Sequence, residues 1–262
     1  MCGIFFATMT RRNLPTDRRD AALKLLEHRG PDGTGTWTSR DGQWTLGHTR
    51  LSIIGLNNGT QPMTSPDGAV HMVVNGEFYG YREIREHLRA NGYRFATESD
   101  SEIALHLYHE RGMQAPALLR GEFAVIIADE RQRAMFAIRD RFGVKPLYYA
   151  VVNGEVFFAS EIKALLALGV PAAWDLEGAT GGFGRTHEKT EFAGISTVPP
   201  GCYAVARTVV SASIRIGIGR CRPRSRRGQT GAPKRRSSRS FAKRYVSPSG
   251  SASSPMSRWP RT

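Results

Sequence analysis

Cysteine is scarce in this 262-residue sequence, long apolar runs are missing, and the last 56 residues contain no Asp or Glu. Each shortage excludes something. The three cysteines, Cys2, Cys202 and Cys221, are odd in number and lack CxxC spacing, which argues against a zinc knuckle or a closed disulfide framework and fits a reducing cytoplasm. No segment approaches the roughly 18 apolar residues of a membrane span. The first twenty residues carry no charged stretch followed by an apolar one, so a soluble, unexported cytoplasmic protein is expected. There is no GxxxxGKS/T phosphate loop, and the glycine-rich GATGGFG at 178–184 lacks the Lys-Ser/Thr ending and reads as a surface loop.

The missing acids locate the charge. Net charge is +14, yet residues 207–262 hold 15 of the 37 Lys/Arg, leaving 22 basic against 23 acidic residues in 1–206. The chain therefore divides into a near-neutral domain over 1–206 and a basic tail over 207–262. The tail, rich in Ser, Pro, Gly and Arg with one short apolar stretch at SIRIGIG, cannot bury enough surface to offset its chain entropy and is expected to be disordered. Three explanations compete for it: an arm binding nucleic acid phosphates, a solvated linker, or the product of a shifted reading frame.

What is present in 1–206 is a mixture of β and α patterns. CGIFFAT reads as an apolar strand. TDRRDAALKLLEHRG reads as a helix with Thr16 as N-cap and Ala22, Leu25 and Leu26 on its apolar face. Asp41-Gly42 and Asn153-Gly154 each separate two β-prone segments and suit type I′ hairpin turns, so the sheets are expected to be antiparallel. YREIREHLRANG and SDSEIALHLYHERG read as helices stopped by Gly92 and Gly112, the first with a solvated, charge-alternating surface. EFAVIIADERQRAMFAIRD, PLYYAVV and VFFAS read as one meander, followed by a helix over SEIKALLALG. Interleaved hairpins and helices predict sheets covered by helices.

Chemistry-bearing residues fall at the edges of these elements. If Met1 is removed, Cys2 carries both a thiol and a free α-amine, whose reference pKa of roughly 7.7–8 suits a general base. A thiol attacking an amide carbonyl creates an oxyanion, which the side-chain amide of Asn75 and the backbone N–H of Gly76 could receive. Arg50 offers a fork for a carboxylate, and Asp100 an acceptor for an ammonium. Together these parts suit an amino-acid amide such as glutamine. Each also has an ordinary alternative: a buried cysteine at a strand start, a turn at NGE, a surface ion pair for Arg50, a helix cap for Asp100. His106, His109 and Glu110 have metal-ligand spacing but read as a partly exposed helix face, and no metal site is assigned.

The ordered segments MCGIF, HRGPDG, GHTRLSI, QPM, VNGEFY, SDSE, RDRFGVKPLYY and ASEIKALL resemble, in order and spacing, the glutaminase domain of glutamine-hydrolysing asparagine synthetases. The resemblance covers essentially 1–206, with GISTVPPGCYAV similar to the closing strand. It implies a class II glutamine amidotransferase domain of the N-terminal-nucleophile hydrolase type, an α+β fold with two antiparallel sheets in a four-layer αββα sandwich. Carried over by position, it implies Cys2 as nucleophile, Asn75 and Gly76 as the oxyanion hole, and Arg50 on the substrate carboxylate. Leu51, Ser52, Ile53 and Ile54 would line the glutamine pocket, Glu77 would border it, Asp100 would take the ammonium, and Arg29 would organise the loop around Cys2.

The implied reaction is hydrolysis of glutamine to glutamate and ammonia through a Cys2 thioester. The glutaminase domain would need no cofactor. In the family ATP and Mg belong to a synthetase domain that converts aspartate to asparagine, and its SGGxDS motif does not occur here. The abrupt change to acid-free sequence near Ala206 favours the shifted frame and a truncated protein. Glutamine is the expected partner, with a separate synthetase polypeptide and a homodimer, as in the family, as further expectations; neither membrane nor nucleic acid is expected. A catalytically silent remnant and a basic-tailed nucleic-acid binder are the rival functions.

Overall fold

A computed structural model describes residues 1–10, 13–175, 188–207 and 215–218, all within one unit spanning Met1–Cys221. Its first strand, β1 (Gly3–Thr8), is buried on both faces, which is why GIFFAT is a continuous apolar run and not an alternating one. Ile4 and Phe6 point to the interior between two sheets, whereas Phe5 and Ala7 point outward beneath helices. α1 (Thr16–Leu26) and a short 3₁₀ turn (Glu27–Arg29) follow, then β2 (Gly33–Thr38), β3 (Trp44–Arg50), β4 (Met63–Thr64) and β5 (Val70–Phe78). α2 (Tyr81–Ala90), α3 (Glu102–Arg111) and α4 (Ala115–Leu118) lead to β6 (Gly121–Asp129), β7 (Ala134–Arg139), β8 (Tyr148–Val152) and β9 (Glu155–Ala159). The chain continues through α5 (Ile162–Leu168), β10 (Ile195–Thr197), β11 (Cys202–Arg207) and β12 (Arg215–Ile218).

Among the described residues two six-stranded sheets result, ordered β10-β8-β9-β1-β3-β2 and β12-β11-β7-β6-β5-β4. Every ladder is antiparallel. Large side chains of the first sheet, Phe6, Trp44 and Phe158, meet small ones of the second, Ala124, Ala128, Ala137 and Ala204, so the two sheets interdigitate. α1 and α5 cover the outer face of the first sheet through Leu26, Leu165 and Leu168. α2, α3 and α4 cover the second through Leu88, Ile103, Leu107 and Ala115. The fold is an α+β sandwich of four layers, αββα, with both sheets antiparallel, as the sequence led us to expect.

Several local expectations are corrected. Thr16 makes no capping hydrogen bond and Pro15 occupies the N-cap position; Ala22 and Leu26 are buried, but Leu25 is 39% exposed. Asn153 and Gly154 both have positive φ, as a type I′ turn requires. Gly42 does and Asp41 does not: the Asp41 carboxylate instead takes the Ser39 hydroxyl and the Gln43 N–H, making a longer loop. The expected meander is split, β6 and β7 lying in one sheet and β8 and β9 in the other. The buried Asp140 carboxylate redirects the chain there by accepting the N–H groups of Phe123, Phe142, Val144 and Lys145. GISTVPPGCYAV likewise forms two strands, β10 and β11, in different sheets.

Within the stretch expected to be without structure, Arg215–Ile218 pairs with Cys202–Val205, extending the second sheet past residue 206. GATGGFG and the tail beyond residue 218 lie outside the described residues. Among the described residues no helix is long and apolar enough to cross a membrane.

Candidate active site

Cys2 directly precedes β1, and the pairing of Gly3 with Thr49 sets its thiol against the chain leaving β3. The Leu51 N–H reaches Sγ at 3.4 Å, and the Leu51 carbonyl lies 3.7 Å away. A side chain at Gly3 would put its Cβ 2.6 Å from Thr49 Oγ1 and 2.8 Å from Leu26 Cβ, so only glycine lets the terminus lie this close. Arg29 is buried beside it. Its Nε donates to the Cys2 carbonyl (3.0 Å) and its Nη1 to Glu161 (2.7 Å), just before α5. Burial pushes the Cys2 thiol above its ordinary pKa, against the pull of the Leu51 N–H, the N-terminal amine, Arg50 and Arg29. A thiol held neutral in this way needs a base to react.

β5 supplies the opposite wall. Asn75 is completely buried, and neither its amide nitrogen nor its amide oxygen has a hydrogen-bond partner. Nearly all such groups in folded proteins are paired, so this amide has hydrogen-bonding capacity left for a group entering the cavity that it lines. At Gly76, paired with Phe123 on β6, a Cβ would fall 2.2 Å from the Glu122 carbonyl oxygen.

Two charged side chains flank this pair. The Arg50 guanidinium donates to three carbonyls of its own loop, those of Ile54 (3.4 Å), Gly55 (2.5 Å) and Leu56 (3.2 Å). Asp100, 4% exposed, accepts the Phe78 N–H at 2.8 Å. Burial raises its pKa against the opposing N–H groups of Phe78 and Ser101, and the charge of Glu77 raises it further. A carboxylate in this state gains from an arriving cation.

These residues surround one cavity of about 150 Å³, lined by Cys2, Arg50, Leu51, Ile53, Ile54, Asn75, Gly76, Glu77 and Asp100. Two of the residues singled out from the sequence are not on its wall. Ser52 gives its N–H to Asp32 (2.7 Å), and Arg29 acts from behind Cys2. The remaining wall was missed: Met1, Gly59, Gln61, Val74, Ser99, Ser101 and Lys145. Gln61 Oε1 accepts the Val74 N–H at 2.6 Å, and Lys145 pairs with Glu122 at 3.1 Å while its Nζ lies 3.5 Å from Met1 Sδ. QPM and GVKP, the segments that carry Gln61 and Lys145, are the only sequence signals that could have found them.

His106 is 2% exposed, not part of an exposed helix face, and its Nε2 lies 3.3 Å from Glu102. Among the described residues no three His, Cys, Asp or Glu side chains gather as a metal site would require.

Comparison with known proteins places the chain in a family. Residues 1–213 match the family model of the glutamine amidotransferase domain. Amidase chry2 of Gibberella zeae is 40% identical over 189 residues, which are 72% of this chain and 28% of that protein. Glutamine-hydrolyzing asparagine synthetase 1 of Bacillus subtilis is 43% identical over 143 residues, 55% of this chain and 22% of that enzyme. The chain thus spans less than a third of the length of these relatives. Among solved structures, glutamine phosphoribosylpyrophosphate amidotransferase of Bacillus subtilis superposes with a TM-score of 0.63 over 82% of this chain and 49% of that one, at 20% identity, a likeness of fold. The chain belongs to the glutamine amidotransferase domain family and is similar to the N-terminal domains of asparagine synthetases.

Proposed function

We propose that this chain hydrolyses the side-chain amide of glutamine to glutamate and ammonia, with Cys2 as nucleophile. The observation that carries the proposal is the meeting, around one cavity, of a thiol, an unpartnered buried amide, a guanidinium and a buried carboxylate drawn from four separate segments. Removal of Met1, whose side chain lies at this cavity, frees the Cys2 α-amine. That amine takes the thiol proton while sulfur forms a bond to the amide carbon. The carbonyl electrons move to oxygen, where the Asn75 Nδ2–H and Gly76 N–H stabilise the charge. The oxyanion collapses, the C–N bond breaks, and the nitrogen leaves as ammonia with the proton returned from the amine. Water then adds to the thioester, releasing glutamate and restoring the thiol.

Arg50 reaches the substrate carboxylate by exchanging neutral loop carbonyls for a charged acceptor, an exchange favoured because charge-assisted hydrogen bonds are roughly twice as strong. Asp100 takes the α-ammonium, which relieves the cost of its burial. In the relatives named asparagine synthetases the chain continues well beyond this domain. The ammonia made here is proposed to serve such a synthetase, on the same or a separate polypeptide, acting on aspartate.

The test is ammonia release from glutamine by the full chain and by Cys2→Ala, with the N-terminus read by intact-mass spectrometry. Cys2-dependent ammonia together with a glutamyl adduct on the Met1-free chain is the expected result. Folded, Met1-free protein that releases none would show a catalytically silent remnant.

A further inference from the structure

Two buried charges on the helices covering the second sheet have no place in the chemistry above. Arg85 on α2 is 8% exposed and Glu102 on α3 is 5% exposed, and neither lines the cavity. Burying charges is costly unless they are fully hydrogen-bonded, so what they hold is informative. Both hold the same short piece of chain. Arg85 Nη1 donates to the Thr97 carbonyl (2.7 Å) and Nη2 to the Ser99 carbonyl (2.6 Å). Glu102 accepts the N–H groups of Ala96 and Thr97 (both 2.7 Å) and the Thr97 hydroxyl (2.6 Å). Phe95 is packed between the Arg85 guanidinium, 4.4 Å from its ring centre, and the His106 ring at 4.5 Å.

The segment so held, 95–99, runs directly into Asp100 on the cavity wall. It also carries the loop that approaches from the other side. The Glu98 N–H donates to Asn58 Oδ1 (3.1 Å), and Gly55 lies so close that a Cβ there would sit 2.8 Å from the Ser99 nitrogen. Gly55 is in turn an acceptor for Arg50. One clamped segment therefore fixes the distance between the groups assigned to the two charged ends of an amino acid.

We propose that Arg85 and Glu102 are positioning residues for substrate selectivity, clamping 95–99 from two helices so that Asp100 and the Arg50 loop are held at the spacing of an α-amino acid. This rests on the cavity being the glutamine site, and the experiment separates the two claims. Hydrogen exchange of the full chain is compared with Glu102→Gln and Arg85→Met, alongside kinetics with glutamine and with glutaric acid monoamide, which lacks the α-ammonium. The expected result is faster exchange confined to 95–100 and 51–59 and a KM for glutamine raised by about tenfold at a kcat within about twofold. The preference for glutamine over the monoamide should fall by about tenfold, the worth of one well-placed interaction.

Unchanged exchange in those two segments, or exchange raised equally across the sheets, would overturn the clamp. So would an undiminished preference for glutamine. If Arg85→Met fails to fold, Glu102→Gln, which keeps the shape of the side chain, decides the matter. A wild-type chain that releases no ammonia would remove the amidase function, while the exchange pattern would still decide whether the clamp exists.

Discussion

Asn75→Ala separates a catalytic amide from a structural one more sharply than any other single change. The side chain is fully buried, and neither amide atom has a protein partner. An unsatisfied buried polar group costs about 1–3 kcal/mol, a penalty that alanine removes. Truncation also loses packing atoms, but the residue borders an existing cavity that solvent can fill, so the loss is limited. The two effects nearly cancel: stability should stay within about 1 kcal/mol of wild type, a Tm change of about 2–4 °C for a domain of this size. Activity should behave quite differently. Losing one oxyanion donor costs about 2.7–4 kcal/mol in the transition state, a fall in kcat of about 10²–10³. Thermal unfolding followed by circular dichroism, and a coupled ammonia assay on the Met1-free chain, measure both quantities on one preparation. A variant that unfolds well below wild type yet keeps more than a tenth of the activity would refute the reasoning, because Asn75 would then be a packing residue.

Other consequences follow from the buried charges. Because burial raises the Cys2 pKa, iodoacetamide should label the Met1-retaining chain slowly at pH 7 and increasingly fast above the ordinary thiol range of about 8.5; fast labelling at neutral pH would contradict the assignment. Asp100→Asn should raise Tm at pH 7 while weakening glutamine binding. The folded Asp100 pKa is raised, so its penalty is full above that pKa and disappears as pH falls below the unfolded value near ~3.9; a variant less stable than wild type at pH 7 would speak against this. Glu102→Gln has the opposite sign. The folded Glu102 pKa is lowered by hydrogen bonds from His106, Thr97 and Ala96 that together outweigh its burial, so its contribution is present above the unfolded value near ~4.3 and is lost as pH falls through the folded one. Urea unfolding at pH 7 and at pH 3 should show a gap between wild type and variant that is smaller at the lower pH.

Individual residues show how far the sequence could be followed. The strand at GIFFAT, the helix stop at Gly92 and the type I′ turn at Asn153-Gly154 are local matters, set by apolar pattern and by the backbone freedom of particular residues, and all were legible. Gly92 closes α2 with its own N–H on Arg89 and the Tyr93 N–H on Leu88, an arrangement that needs its left-handed φ of 87°. Arg85 was misjudged. Its place in a charge-alternating helix suggested solvent, and only the packing of α2 against 95–99 reveals a buried clamp. Lys145 and Gln61 lie in the recognisable segments GVKP and QPM, but only the folding of those segments onto one cavity shows them as wall residues.

The order of motifs and the antiparallel hairpins were determined by the sequence alone, because each depends on residue type and short spacing. Which hairpin joins which sheet, which residues meet around one cavity, and which buried charges hold the segment before Asp100 were decided only in the tertiary structure. Those depend on one buried carboxylate, Asp140, redirecting the chain between sheets, and on contacts between residues dozens of positions apart. Periodicity carries no information about such contacts, since a strand's alternation is the same whichever sheet it joins.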